Sequence, residues 1–273
     1  MRIDEPRGGM ASALGAADQE LTTPHPVRIY DYLLGGKDNY AVDQAAAEHM
    51  VAMMPKVREA ARANRSFMVR AVRVMAEEGI RQFLDLGTGL PTSPNVHEVA
   101  REVVPTARVA YVDNEPIVTV FNRALRAQVP GIVAVQQDLR DPDAVLEDAG
   151  VREALDLDQP VGLLLVAVLH FIDPQVAAHA VESYVRSLAP GSMVAISAAC
   201  ADDLDAPDVA RIRAVYAASP SPFVFHDPTR FAALFDGLEL CEPGIVEVSR
   251  WRESGAPLTY SGMSFLAGVA RKR

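Results

Sequence analysis

The chain is expected to fold as an α/β protein: a mostly parallel sheet closed by a terminal pair with one antiparallel strand, with a helical segment in front. Three observations carry this. From Ile80 to Ala198 short apolar runs alternate with amphipathic stretches, the pattern of strands joined by crossover helices. Val161–Leu169 is nearly all apolar, as a strand covered on both faces must be. Beyond residue 237 two strand-like runs follow one another with no helix between them, which suits an antiparallel pair.

The elements follow in order. Residues 1–22 read as a disordered tail, because the weakly apolar piece Met10–Ala17 is too short and glycine-interrupted for a signal-peptide core. Residues 23–79 read as a helical cap on a domain of residues 80–273. Pro26–Leu34 leads into the turn signal Gly35-Gly36-Lys37-Asp38-Asn39, a helix then runs to about Met53, and Pro55 marks a break. The next helix, about 56–78, carries the stripe Val57, Ala60, Ala61, Phe67, Met68, Ala71, Val72 and Met75 and stops at Gly79.

Strands are expected at 81–86, 108–112, 132–136, 161–168 and 193–198. Helices lie between them at about 95–103, 116–127, 142–148 and 175–188, the last capped by Asp173 ahead of Pro174. Two more, near 207–217 and 228–236, bracket Ser219-Pro220-Ser221-Pro222. The closing strands are 238–248 and 260–270, joined by a loop holding Trp251 and Pro257.

Bulk properties narrow the function classes. With 49% apolar residues among 273, the chain can bury a sizeable core. A net charge of −10 argues against a nucleic-acid backbone as the main partner. No apolar run reaches the roughly 18 residues of a membrane span. Cys200 and Cys241 are the only cysteines and fall on expected strands, a poor fit to a metal site or disulfide framework and a good one to a reducing cytosol. No metal-ligand cluster stands out.

The stretch with chemistry in it is Phe83-Leu84-Asp85-Leu86-Gly87-Thr88-Gly89-Leu90-Pro91-Thr92. An apolar run ending in an acid and two spaced glycines is how a parallel strand hands a nucleotide-like ligand to a following helix. The plainer reading is a tight turn. Three later strand ends carry Asp113, Asp138 and His170. Asn64 interrupts the apolar stripe between Ala60 and Phe67, and a buried amide needs partners. Gly35-Gly36-Lys37 is not a Walker A loop, since Asp31 and Asp38 stand where that motif needs glycine and Ser or Thr. It reads as a lid turn, with Tyr30, Asn39 and Tyr40 as candidate pocket walls.

The layout over about 80–270 resembles the Rossmann-like class I S-adenosylmethionine-dependent methyltransferase fold. The chain is more closely similar to a bacterial, largely actinobacterial family of such methyltransferases whose substrates are poorly defined. That likeness rests on Arg28–Tyr40 (Arg-Ile-Tyr-Asp-Tyr-Leu-Leu-Gly-Gly-Lys-Asp-Asn-Tyr), Ala63-Asn64-Arg65, Asp85–Thr92 and Asp113-Asn114-Glu115-Pro116. Pro91 stands where many methyltransferases have a third glycine, a feature the closer family shares.

The resemblance implies roles. Gly87 and Gly89 would approach the aminoacyl end of S-adenosylmethionine, with Asp85 ordering the loop or the ammonium. Asp113 would accept the ribose diol, with Glu115 as runner-up; its other reading is a helix cap. Asp138 would accept the adenine amine and the Leu139 amide serve the ring, unless Asp138 only pairs with Arg140. His170 would be the general base, as in small-molecule O-methyltransferases, or would only shape the pocket. Asn64 and Arg65 would face the methionine end or pin the Gly35–Asn39 loop. The expectation is a cytosolic enzyme methylating an oxygen or nitrogen of a small molecule. Its rivals are a non-catalytic S-adenosylmethionine-binding module and an NAD(P)-dependent oxidoreductase, for which Gly87-x-Gly89-x-x-Thr92 is a poor fingerprint.

Overall fold

The structure, a computed structural model, describes residues 22–125, 129–253 and 263–273. The expected tail lies outside these residues except for Thr22. So do the last residues of the expected 116–127 helix and the start of the expected 260–270 strand.

Three helices open the chain: α1 (Pro26–Leu34), α2 (Ala41–Met53) and α3 (Val57–Glu77). Then follow β1 (Gln82–Leu86), α4 (Val96–Val103), β2 (Arg108–Asp113), α5 (Pro116–Leu125) and β3 (Ile132–Gln136). Next come α6 (Pro142–Glu147), α7 (Ala149–Ala154), β4 (Gly162–Val166), a 3-10 turn (Leu169–Phe171), α8 (Pro174–Ser187) and β5 (Met193–Ala201). The chain ends with α9 (Pro207–Val215), α10 (Pro228–Ala233), β6 (Glu239–Leu240), β7 (Val246–Glu247) and β8 (Met263–Arg271).

The sheet order is β3-β2-β1-β4-β5-β8-β6, with β7 also beside β8. Strands β1 to β5 pair in parallel and β8 runs antiparallel to β5, so the expected sheet is present. Three details differ. The expected strand 238–248 is two short pieces, because Pro243 cannot donate to a ladder and Gly244 turns back to bond the Cys241 carbonyl at 2.8 Å. The expected strand 161–168 stops at Val166, where Ala167 takes a left-handed φ of 59° and the chain tightens into the 3-10 turn. A short helix, α7, follows the expected 142–148 helix; Asp148 starts it by accepting from the Gly150 and Val151 amides.

Consecutive strand residues serve opposite faces. Leu163 and Leu165 pack with Val112, Val181 and Tyr184 on one side, while Leu164 packs with Phe83, Val109 and Trp251 on the other. The second half of α3, from Phe67 to Ala76, belongs to that second core. The first half joins α1 and α2 in a third cluster with Ile212, Tyr216, Phe223 and Phe225. The opening helices are thus rooted in the sheet at one end and reach the segment after β5 at the other. Asp173 caps α8 through the Gln175 and Val176 amides, as expected.

Candidate active site

Because β1 to β4 are parallel, the turns after them emerge at one edge of the sheet, where open α/β sheets bind ligands. Gly87, Asp113, Asp138 and His170 all stand there. Gly87 has φ of 68°, and a Cβ on it would lie 2.3 Å from Val168 Cγ2, so both backbone and space demand glycine. The Gly87 amide donates to the Val112 carbonyl at 2.8 Å. The Gly89 amide donates to Asp113 Oδ2 at 2.9 Å, and Asn122 Nδ2 donates to the Gly89 carbonyl at 3.2 Å. The loop is thereby clamped to the next strand and helix.

Asp113 also accepts the Glu115 amide on Oδ1 at 3.0 Å. Burial raises its carboxyl above the usual range despite those two donors. Each oxygen keeps a lone pair for a further donor. Glu115 instead meets the cap: His25 Nε2 lies 3.1 Å from Glu115 Oε2. His25 Nδ1 accepts the Val27 amide at 3.4 Å, which leaves the ring proton on Nε2, toward the carboxylate. This hydrogen bond holds the Glu115 carboxyl below its usual range.

Asp138 accepts from both the Arg140 amide, at 2.9 Å, and its guanidinium, which is the main reason its carboxyl lies below the usual range. The expected Arg140 pair therefore exists, on a residue that also borders the cavity described below.

Asn64 is buried and its amide is engaged at both ends. Its Nδ2 donates to Tyr30 Oη at 3.0 Å, and its Oδ1 accepts from Ser197 Oγ at 2.6 Å. Tyr30 Oη donates in turn to the Ala61 carbonyl at 3.1 Å, and Ser197 Oγ accepts the Ala167 amide at 3.1 Å. One amide thus ties α1 and α3 to β5 and to the left-handed residue after β4. It does not hold the Gly35–Asn39 turn. That turn is organised by Asp31, whose Oδ2 accepts the Asp38 amide at 2.9 Å and Asn39 Nδ2 at 2.8 Å. A Cβ on Gly36 would sit 2.0 Å from Asp31 Oδ1. Neither Asn39 nor the exposed Tyr40 borders the cavity, whereas Tyr30 does.

Arg65 donates through Nη2 to the Thr92 carbonyl and, at 2.8 Å, to the Pro94 carbonyl, while its buried Nε has no partner among the described residues. Arg28 and the fully buried Asp43 form an ion pair at 2.7 Å that also receives the His25 and Tyr40 amides. Sequence reasoning missed Asp31 and Asp43. An acid four residues before a glycine pair was the available signal for the first; nothing in the pattern marked the second.

His170 lies in the 3-10 turn, 4% exposed, among Phe171, Phe223 and Phe265. Burial, with His226 nearby, pulls its pKa down to about 3. Its Nδ1 accepts the Ala199 amide in a long contact of 3.4 Å.

These groups border one cavity of about 400 Å³ between the sheet edge, the three opening helices and the segment after β5. Asp85, Gly87, Gly89, Asp113, Asp138, Leu139, Asn64, Arg65 and His170 all line it. So do His25 and Glu115.

A family model described as S-adenosyl methyltransferase matches residues 14–273. The chain belongs to this methyltransferase family. Two solved structures are similar over nearly their whole length. A candidate methyltransferase from Thermobifida fusca is 37% identical with a TM-score of 0.84, covering 94% of this chain and 97% of its own. A DUF574 family protein from Streptomyces avermitilis is 39% identical with a TM-score of 0.85, covering 93% and 99%. The N-methyltransferase NodS from Bradyrhizobium japonicum, solved with S-adenosyl-L-homocysteine, is 15% identical with a TM-score of 0.50 over 90% and 98%, a likeness of fold. A comparison with functionally curated proteins finds no match.

The methyltransferase uses S-adenosylmethionine, and its residues suit that group. A glycine loop closed by an acid borders the cavity, Asp113 has acceptor capacity for hydroxyl donors, and Arg65 Nε is a buried cation atom lacking an acceptor among the described residues. Among the described residues no helix is long and apolar enough to cross a membrane.

Proposed function

We propose that this methyltransferase acts on an oxygen or nitrogen nucleophile of a small molecule held in the same cavity as the cofactor, in the cytosol. The observation that carries the reading is the common cavity: the residues expected at the cofactor and His170 border one space that α1–α3 cover. A covered, acid-lined pocket suits neither a nucleic-acid strand nor a membrane surface. Residues 23–79 serve in this reading as the cap and 80–273 as the catalytic domain.

S-adenosylmethionine supplies an electrophilic methyl group on a sulfonium. Gly87 and Gly89 receive its aminoacyl end, with Asp85 beneath the loop. Arg65 offers Nε to the carboxylate. Asp113 accepts the ribose hydroxyls; Asp138 and the Leu139 amide receive the adenine. Asn64 positions the cap rather than touching the cofactor, since its amide is engaged by Tyr30 and Ser197. His170 acts as a neutral wall of the acceptor end, because a base with a pKa of about 3 takes a proton poorly at neutral pH. The work left to the protein is alignment, for which roughly 7–11 kcal/mol is available in favourable cases, and the proton that the acceptor loses leaves to solvent rather than to His170.

Calorimetry tests this. S-adenosylhomocysteine is expected to bind, NADH is not, and Asp113→Asn and Arg65→Ala each weaken binding at least tenfold. Tight NADH binding without S-adenosylhomocysteine binding would overturn the reading. Cofactor binding with no methyl transfer across a broad metabolite panel would favour a sensor.

A further inference from the structure

The far end of the cavity differs in chemistry from the cofactor end. His170 is 4.5 Å from Phe171, 4.8 Å from Phe223 and 5.2 Å from Phe265, ring centre to ring centre. Tyr216 and Phe225 each lie 5.0 Å from Phe223. These rings come from four separate places: the turn after β4, the end of α9, the loop after it, and β8. All of them border the cavity, and Phe171 and Phe265 are only half-buried. Among the described residues, the cavity wall contributed by 199–265 contains no Asp, Glu, Lys or Arg. The facing side of the cap adds Met50 and Met54, soft side chains that adapt to a ring.

The aromatic face adjoins the cofactor loop directly. Val168, two residues before His170, is the side chain that presses on Gly87. A ligand on this face therefore lies against the end of the pocket where the glycine loop holds the cofactor's aminoacyl part.

We propose that the methyl acceptor is a flat, uncharged aromatic compound seated on the Phe171–Phe223–Phe265 face, an inference that rests on the cofactor reading above. Rings at these spacings favour offset or edge-on contact with a further ring. An ionised acceptor would lose its hydration against a wall without counter-charge. A saturated ring of the same size would fill the volume without the ring-to-ring contacts.

The test is calorimetry on the full chain saturated with S-adenosylhomocysteine, using 1-naphthol, decahydro-1-naphthol and 1-naphthoate as probes. 1-Naphthol is expected to bind at least fivefold more tightly than the saturated alcohol and at least tenfold more tightly than the carboxylate. Phe223→Leu and Phe171→Leu are each expected to weaken naphthol at least fivefold and leave S-adenosylhomocysteine affinity unchanged, which also reports that each variant is folded. Equal binding of naphthol and its saturated analogue, preference for the carboxylate, or no naphthol binding by a protein that binds S-adenosylhomocysteine would overturn the acceptor class alone. Failure to bind S-adenosylhomocysteine in the first titration would overturn the cofactor reading instead.

Discussion

The two ends of the cavity are built by different means. At the cofactor end, backbone amides and carboxylates do the positioning: Gly89 N–H on Asp113, the Glu115 amide on the same acid, His25 on Glu115, Arg65 on the Thr92 and Pro94 carbonyls. At the far end, side-chain rings pack on one another, with no charged group among the described residues of the 199–265 wall. The first end depends on φ angles and hydrogen-bond direction, the second on shape and area. A single added atom should damage the first, whereas the second should tolerate changes that keep its volume.

The largest effect is expected from removing the ion pair that anchors the cap. Asp43→Ala removes the buried carboxylate beside the Arg28 guanidinium and the acceptor of the His25 and Tyr40 amides, at a cost of about 3–5 kcal/mol. Denaturant unfolding should record it, and both ends of the cavity should weaken together because they share the cap.

Gly87→Ala should separate the ends. A left-handed φ costs an alanine roughly 1–2 kcal/mol, before Val168 has to move. S-adenosylhomocysteine affinity should fall at least tenfold in calorimetry, and naphthol affinity by clearly less. Equal losses would mean that the two ends are one mechanical unit.

Asn64→Ala leaves the Tyr30 and Ser197 hydroxyls without their shared partner, at a cost of about 1–3 kcal/mol in unfolding free energy. S-adenosylhomocysteine affinity should change less than threefold if the amide acts only as a brace.

His170 adds a pH dependence at the aromatic end. Its folded pKa lies at about 3 against an ordinary 6.5, so the unfolded chain takes a proton that the folded one refuses. Stability should be full above about pH 6.5 and fall as pH drops toward 3, by up to about 1.4 kcal/mol per unit from this residue. His226, also shifted down by burial, adds in the same direction. Denaturant midpoints at pH 7 and pH 5 should lie closer together in His170→Gln than in the parent.

The smallest effect belongs to Glu115→Gln. The His25 bond depresses the Glu115 pKa, so its contribution is present above the ordinary value of 4.5 and lost as pH falls through the lower folded value. The pair is partly exposed, so the loss at neutral pH should stay below about 1 kcal/mol and vanish in acid.

The contrast between the ends also explains what could be read without coordinates. Gly87, Asp113, Asp138 and His170 were legible because strand ends of a parallel sheet must converge, and the alternating pattern reveals where each strand stops. Asn64 was legible as a polar residue on an apolar stripe. The aromatic face was not, because Phe171, Tyr216, Phe223 and Phe265 lie far apart in the chain and each alone reads as core.

By itself the sequence determined the sheet, the strand ends and the glycine loop, since each follows from local periodicity and from backbone conformations that few residues can adopt. Only the tertiary structure decided which polar atoms were already engaged. It gave Asn64 to Tyr30 and Ser197 and Glu115 to His25, and left Arg65 Nε without an acceptor among the described residues. Hydrogen-bond partners depend on distances between elements remote in sequence, and those distances exist only once the core has packed.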